Sequence, residues 1–138
     1  MLASNMLIHF YQFLNNLKST PARKSKLIVI SLIVAAAFNL LTWLLLYFKL
    51  LPAAGTLPTE QAYIPLHYNI YLGVDSFGDW RLSFIMPGAG LGFLIANAIL
   101  AFSLYNKKKI ASFILCLAVA FAEILIFVST IFVVLINI

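Results

Sequence analysis

Three long apolar runs limit what this chain can fold into. They cover residues 27–48, 82–105 and 110–138, and each reaches the length of about 20 residues that an α-helix needs to cross a bilayer. The chain is 64% hydrophobic and only 9% charged, which lies well outside the range of soluble globular domains. The sequence therefore predicts an all-α membrane protein whose three transmembrane helices form one domain over residues 27–138.

The positions of Lys and Arg predict how these helices are oriented. Four basic residues precede the first run and three fill the turn between the second and third, whereas the connection of residues 51–81 has Lys49 and Arg81 only at its edges. Positive charge is retained on the cytoplasmic side of short connections. We therefore expect a multi-pass protein of the plasma (inner) membrane, with the N-terminus cytoplasmic and both the loop and the C-terminus extracytoplasmic.

Residues 1–26 predict a cytoplasmic amphipathic helix followed by a basic linker. Apolar side chains recur there at three- and four-residue spacing, namely Leu7, Phe10, Tyr11, Leu14 and Leu17. Such a stripe is typical of a helix lying in the membrane interface, and a disordered tail is the alternative. The net charge of +5 comes from these membrane flanks, so we expect no nucleic-acid partner.

Three polar side chains inside the runs need partners, because an unpaired amide or carboxyl is costly in hydrocarbon. They are Asn39, Asn97 and Glu123. At about 1.5 Å per residue, Asn39 and Glu123 lie roughly 18 Å and 20 Å from the cytoplasmic ends of their helices, and so in the same layer. We expect a neutral Glu123 that bonds Asn39 or a backbone carbonyl. The alternative is a relay for protons or cations.

Small side chains at regular spacing predict where the second and third helices pack. Gly88, Gly92 and Ala96 lie four residues apart, and the third run offers Ala118 and Ala122. Small residues let helix backbones approach closely in lipid. Homodimerisation through the same glycines is the alternative.

The connection of residues 51–81 is too long for a simple turn and too aromatic for a flexible tether. Its segment "AYIPLHYNIYLG" is rich in Ile, Tyr and Leu, while Gly73, Asp75 and Gly78 supply turn chemistry. This composition predicts an ordered extracytoplasmic loop, with an extended segment or hairpin packed near the membrane.

Within this loop, "IPLHYN" is followed by "DSFG". The residues that carry the pattern are Ile64, Pro65, His67, Tyr68, Asn69, Asp75, Phe77 and Gly78. Their order resembles the outer-loop motif of a bacterial membrane-protein domain of unknown function that is shared with toxin-immunity proteins. The family's proline before the aspartate is absent, and Gly73 lies one residue nearer that aspartate than the family's glycine. The resemblance implies an envelope membrane protein and does not by itself imply immunity activity.

The polar residues of the loop could in principle bind a metal or act in catalysis. His67, Asp75 and Asp79 are metal-ligand types, but their spacing fits no standard site. Ser76 with His67 and Asp79 has the residue types of a catalytic triad without an elbow or oxyanion element. We therefore expect no metal, no cofactor and no enzyme activity. His67 and Asn69 should bond the loop's own backbone, and Asp75 should cap its turn.

Together these patterns predict a small integral membrane protein that acts by binding or assembly. It would be an accessory, sensor or immunity-type subunit, and its partners would be the lipid bilayer and another membrane protein or further copies of itself. The alternative is an oligomeric small-solute or proton-coupled transporter that uses Glu123, although three spans are few for a transporter.

Overall fold

The computed structural model combines long helices with one β-hairpin. It describes residues 8, 11, 12, 15, 19–55 and 63–138. Residues 8, 11, 12 and 15 have helical backbone, whereas the other residues of the predicted interfacial helix up to residue 18 lie outside the described part. A short 3-10 turn, Pro21–Lys24, then leads into the first long helix.

The described part of the chain holds three helices that are long and apolar enough to cross a membrane. They are α1, Lys26–Gly55, α2, Ile85–Leu104, and α3, Lys109–Leu135. Helix α3 packs against both α1 and α2. The prediction of three candidate spans is confirmed by length and composition, and it is compatible with a multi-pass membrane protein.

Helix α1 extends beyond its predicted end at residue 48. It becomes π-helical over Leu46–Leu50 and returns to α-helical over Leu51–Gly55. Pro52 has no N–H with which to bond the carbonyl of Phe48, and its ring would clash with that carbonyl in a regular α-helix. The wider π turn accommodates the proline without ending the helix.

Helix α2 is preceded by a 3-10 turn, Trp80–Phe84. The Asp79 carboxylate caps this turn by accepting a hydrogen bond from the Arg81 backbone N–H at 2.8 Å. Pro87 lies in the first turn of α2, where a missing N–H breaks no intrahelical bond.

The predicted loop contains a two-stranded antiparallel hairpin. Strand β1, Tyr63–Asn69, pairs with β2, Gly73–Asp79, and the register is irregular on both sides of His67. Gly73 has φ +75°, a conformation that glycine adopts without strain. The all-α class is therefore wrong for this segment, and the chain is mainly helical with a small sheet. Residues 56–62 of the loop lie outside the described part.

The interior of the helix bundle is small and partly polar. Large Leu, Ile and Phe side chains face outward, while the buried polar set comprises Thr20, Ser31, Asn39, Thr42, Ser83, Asn97, Ser112, Glu123 and Thr130. This arrangement suits lipid, which solvates apolar side chains as well as the interior does.

Two apolar clusters lie at opposite ends of the bundle. The cluster of Ala22, Ile28, Ala101 and Cys116 marks the basic end, where Pro21–Lys24 contacts α2. The cluster of Leu46, Leu50, Ile64 and Val134 marks the hairpin end.

Candidate functional site

A buried polar contact joins the helices near the middle of the bundle. The Asn39 amide of α1 donates to Oε2 of Glu123 in α3 at 3.1 Å and to the carbonyl oxygen of Pro87 in α2 at 2.9 Å. Asn39 is 4% exposed and Glu123 is fully buried. The structure thus brings together the two side chains that depth counting placed in one layer, and a single amide links all three helices.

Gly90 provides the space for this contact. A Cβ atom at Gly90 would lie 2.8 Å and 2.9 Å from the carboxyl oxygens of Glu123 and 3.0 Å from the amide nitrogen of Asn39. Sequence analysis missed Gly90. It lies two helical turns before Asn97, whose polar side chain in an apolar run was the signal that could have identified the buried face of α2.

The predicted packing face of α2 is wrong. Gly88, Gly92 and Ala96 are exposed, and a Cβ added at either glycine meets no described atom within 4 Å. In α3, Ala118 is exposed and Ala122 only partly buried. The buried positions of α2 are Pro87, Gly90, Asn97 and Ala101, because burying the Asn39–Glu123 contact turns this face inward. Homodimerisation through the exposed glycines stays a prediction.

Asn97 does not bridge helices. Its amide donates to the carbonyl of Phe93, one turn earlier in α2, at 2.9 Å. A buried amide bonded to its own helix satisfies a donor without a partner segment, so Asn97 is separate from the Asn39–Glu123 contact.

The hairpin carries a hydrogen-bonded His–Asp pair that sequence analysis did not predict. Nδ1 of His67 lies 2.6 Å from Oδ1 of Asp75, and these side chains are 64% and 32% exposed. Asp75 therefore pairs with His67 across the strands and does not cap the turn. Asn69 does bond the loop backbone as expected, since its Oδ1 accepts from the Tyr71 N–H at 2.9 Å. Composition gives no signal for this pair, because it depends on the irregular register around His67, whose register partner Ser76 is the neighbour of Asp75.

Other motif residues fix the hairpin to the helices. Ile64 is 3% exposed within the hairpin-end cluster, and the Pro65 carbonyl accepts from the Asn137 amide at 2.8 Å.

The remaining motif residues lie within the hairpin itself. A Cβ at Gly78 would lie 2.5 Å from Cδ1 of Leu66. Phe77 is 61% exposed. Tyr68 belongs to β1, and its side chain lies outside the described part.

A groove of about 840 Å³ lies between the hairpin and α3. The residues along it are Leu66, His67, Ile70, Ser76, Met86, Leu125, Val128, Ser129, Phe132, Val133 and Ile136. A smaller cavity of about 150 Å³ shares Leu66, Met86, Ser129 and Val133 with this groove and reaches Ser83 and Thr130. The Ser83 hydroxyl is buried and has no hydrogen-bond partner among the described residues. The groove and this side cavity together form a candidate site for a ligand.

The hairpin offers few groups for chemistry. No cluster of three His, Cys, Asp or Glu side chains occurs in the described part of the chain, and the His67–Asp75 pair alone has fewer ligands than a zinc site needs. Ser76 is the register partner of His67, yet no hydrogen bond joins their side chains among the described contacts.

Comparison of the chain with protein-family models, with curated proteins and with solved structures gives no match. The resemblance of the loop to the immunity-related domain therefore stays a prediction from its motif.

Proposed function

We propose that this chain is a small integral membrane protein of the cell envelope that acts by binding or assembly, as an accessory, sensor or immunity-type subunit. One observation carries the proposal: Glu123 is fully buried inside a single chain, against Asn39 and Gly90. A carboxyl group that carries protons or cations needs contact with water or a pathway. A carboxyl enclosed by the helices of its own chain serves better as an interhelical contact.

The hairpin is the proposed binding surface. Its tip exposes Ile70, Tyr71 and Leu72, which are 81%, 91% and 77% exposed. Ile64 and the Asn137–Pro65 hydrogen bond hold the strands against the bundle. Exposed apolar and aromatic side chains on a positioned element are typical of contacts with another protein.

The charge distribution supports the proposed orientation. Arg23, Lys24 and the run Lys107–Lys109 lie at the basic end of the bundle, opposite the hairpin. Because positive flanks remain in the cytoplasm, we place the hairpin on the extracytoplasmic side of the plasma membrane. Basic residues that flank membrane helices on the cytoplasmic side also explain the net charge of +5, so no nucleic-acid partner is needed to explain it. The sparse chemistry of the hairpin supports a role other than catalysis.

The transporter alternative has one observation in its favour. Oε1 of Glu123 has no hydrogen-bond partner among the described residues. A buried oxygen left unbonded is costly, and a proton or a cation that visits the site would compensate for that cost. In that case several copies would assemble around a shared pathway, because the described helices of one chain pack directly against one another.

The test combines crosslinking with a mass measurement. A photoreactive benzoylphenylalanine replaces Tyr71 at the hairpin tip, and a matched variant carries it at Phe121, a 63% exposed position on α3. We expect a discrete protein adduct from position 71 in intact cells and none from position 121. A homo-oligomer in mild detergent, without adducts from position 71, would support the transporter instead.

A further inference from the structure

We infer that the groove between the hairpin and α3 binds one phospholipid from the membrane leaflet on the hairpin side. Its acyl chain would lie along α3, and its ester region would lie beside Ser83. This inference does not depend on the proposed function, because a bound lipid is compatible with any role of the hairpin. The volume of about 840 Å³ falls within the range of roughly 300–1,000 Å³ of ligand pockets.

The length of the groove matches one leaflet. Along α3 it runs from Leu125 to Ile136, which at about 1.5 Å per residue is roughly 16 Å. Half of a hydrocarbon core of about 30 Å is roughly 15 Å. A spanning helix from a partner, or from a second copy, would need a contact about twice as long. The groove therefore fits a single acyl chain better than a second helix.

The polarity of the groove changes along its length as an amphiphile requires. Leu125 and Val128, which are exposed on the outer face of α3, line the part nearer the middle of the helix, whereas His67 and Ser76 line the hairpin end. The Trp80 ring, stacked 5.3 Å from the Arg81 guanidinium, lies at this same end. Amphipathic rings settle at the level of the lipid headgroups, so the polar end of the groove coincides with the interface.

Ser83 supplies a second, independent observation. It is 9% exposed, lines the side cavity that adjoins the groove, and its hydroxyl has no partner in the described part. It lies one helical turn from Trp80, close to the interface. A buried hydroxyl without a partner is unfavourable, and a lipid ester carbonyl at this depth would accept its hydrogen bond.

The experiment uses the full chain in vesicles of phosphatidylethanolamine and phosphatidylglycerol. A trace of phosphatidylcholine with a diazirine on its acyl chain serves as the probe, and labelled residues are located by peptide mass spectrometry. We expect residues 125–136 to be labelled about tenfold more than the exposed Ile114 and Leu117 of the same helix, a preference of roughly 1.4 kcal/mol. Even labelling of all lipid-facing residues would overturn the inference.

Matched variants separate the groove from the general lipid surface. Val128→Trp fills the groove and should abolish the preferential label, whereas Leu91→Trp should preserve it. These residues are 42% and 43% exposed, and only Val128 lines the groove. Equal losses in the two variants would contradict a specific site.

A second pair of variants, with smaller substitutions, tests the same site if Val128→Trp disturbs folding. Ser83→Ala should lower the label several-fold, whereas Ser103→Ala, whose hydroxyl already bonds the Ile99 carbonyl at 2.8 Å, should not change it. Native mass spectrometry provides the last check. If the chain is a dimer and the label in the groove appears only after the dimer dissociates, a second copy occupies the groove and the lipid inference is wrong.

Discussion

The middle of the helix bundle and its hairpin end each hold a carboxyl group beside a polar partner, yet the two sites differ in access. Glu123 is enclosed by Asn39, Gly90 and the packed helices. Asp75 bonds His67 on an exposed surface beside an open groove. Because water can solvate only the second pair, loss of a partner is costly in the bundle and mild on the hairpin. The difference fits a structural role for the contact in the bundle, whereas binding at the hairpin end stays our proposal.

The largest contrast between the two regions should be in chemical access. We expect Tyr71→Cys, at a position 91% exposed, to react with a membrane-impermeant thiol reagent in intact cells. Native Cys116, buried at the basic end, should not react. Lys108→Cys should react only after the membrane is permeabilised, because the turn before α3 is assigned to the cytoplasm. The reverse pattern for positions 71 and 108 would refute the orientation.

Next in size is the effect of filling the space at Gly90. Gly90→Ala places a methyl group 2.8 Å from the Glu123 carboxyl, and overpacking of this kind costs about 1–3 kcal/mol. The measurement is denaturant or thermal unfolding in detergent. Gly92→Ala is the matched control, since nothing described lies within 4 Å of its added methyl. Equal destabilisation of the two variants would contradict the close contact at Gly90.

The Glu123 variants should have smaller effects and decide its role. Glu123→Gln keeps both an acceptor for Asn39 and a donor, as a neutral carboxyl has, so we expect little change in stability. Glu123→Leu removes the contact and should lower the free energy of unfolding by about 1 kcal/mol. A Glu123→Gln protein that folds and assembles normally but loses its function in cells would instead support proton or cation transport.

The smallest effect is expected at the exposed pair. His67→Ala and Asp75→Ala should each change the free energy of unfolding by no more than about 1 kcal/mol, and a double-mutant cycle should give a small coupling energy. Elemental analysis of wild type and of each variant should show the same metal content. Stoichiometric zinc in wild type that is lost in a variant would overturn the prediction of no metal.

Depth along the helices could be predicted from sequence, but the buried face could not. Counting residues placed Asn39 and Glu123 in one layer, and the structure brings them together. The choice of Gly88 and Gly92 over Gly90 was wrong because apolar residues surround α2 on all sides. A helix without one polar face gives no periodic signal for its inward side, and the single amide of Asn97, which does mark that side, was not used to assign it.

In the hairpin, too, some features could be predicted from the sequence and others could not. Its strand-forming composition and Asn69 turn were readable, whereas the His67–Asp75 pair and the groove depend on which residues the strands and α3 place side by side. The extension of α1 past residue 48 was also missed, because the π turn that accommodates Pro52 is a response of the backbone and not a property of composition.

The sequence by itself determined the number and approximate position of the apolar helices, the polar layer near their middle and the concentration of basic residues beside the apolar runs. These follow from composition and from the constant rise of an α-helix. Only the tertiary structure decided the rotation of each helix, the enclosure of Glu123 and the groove beneath the hairpin. Rotation and enclosure depend on which atoms fill the space between neighbouring segments, and that competition among close contacts is settled only when all of them pack together.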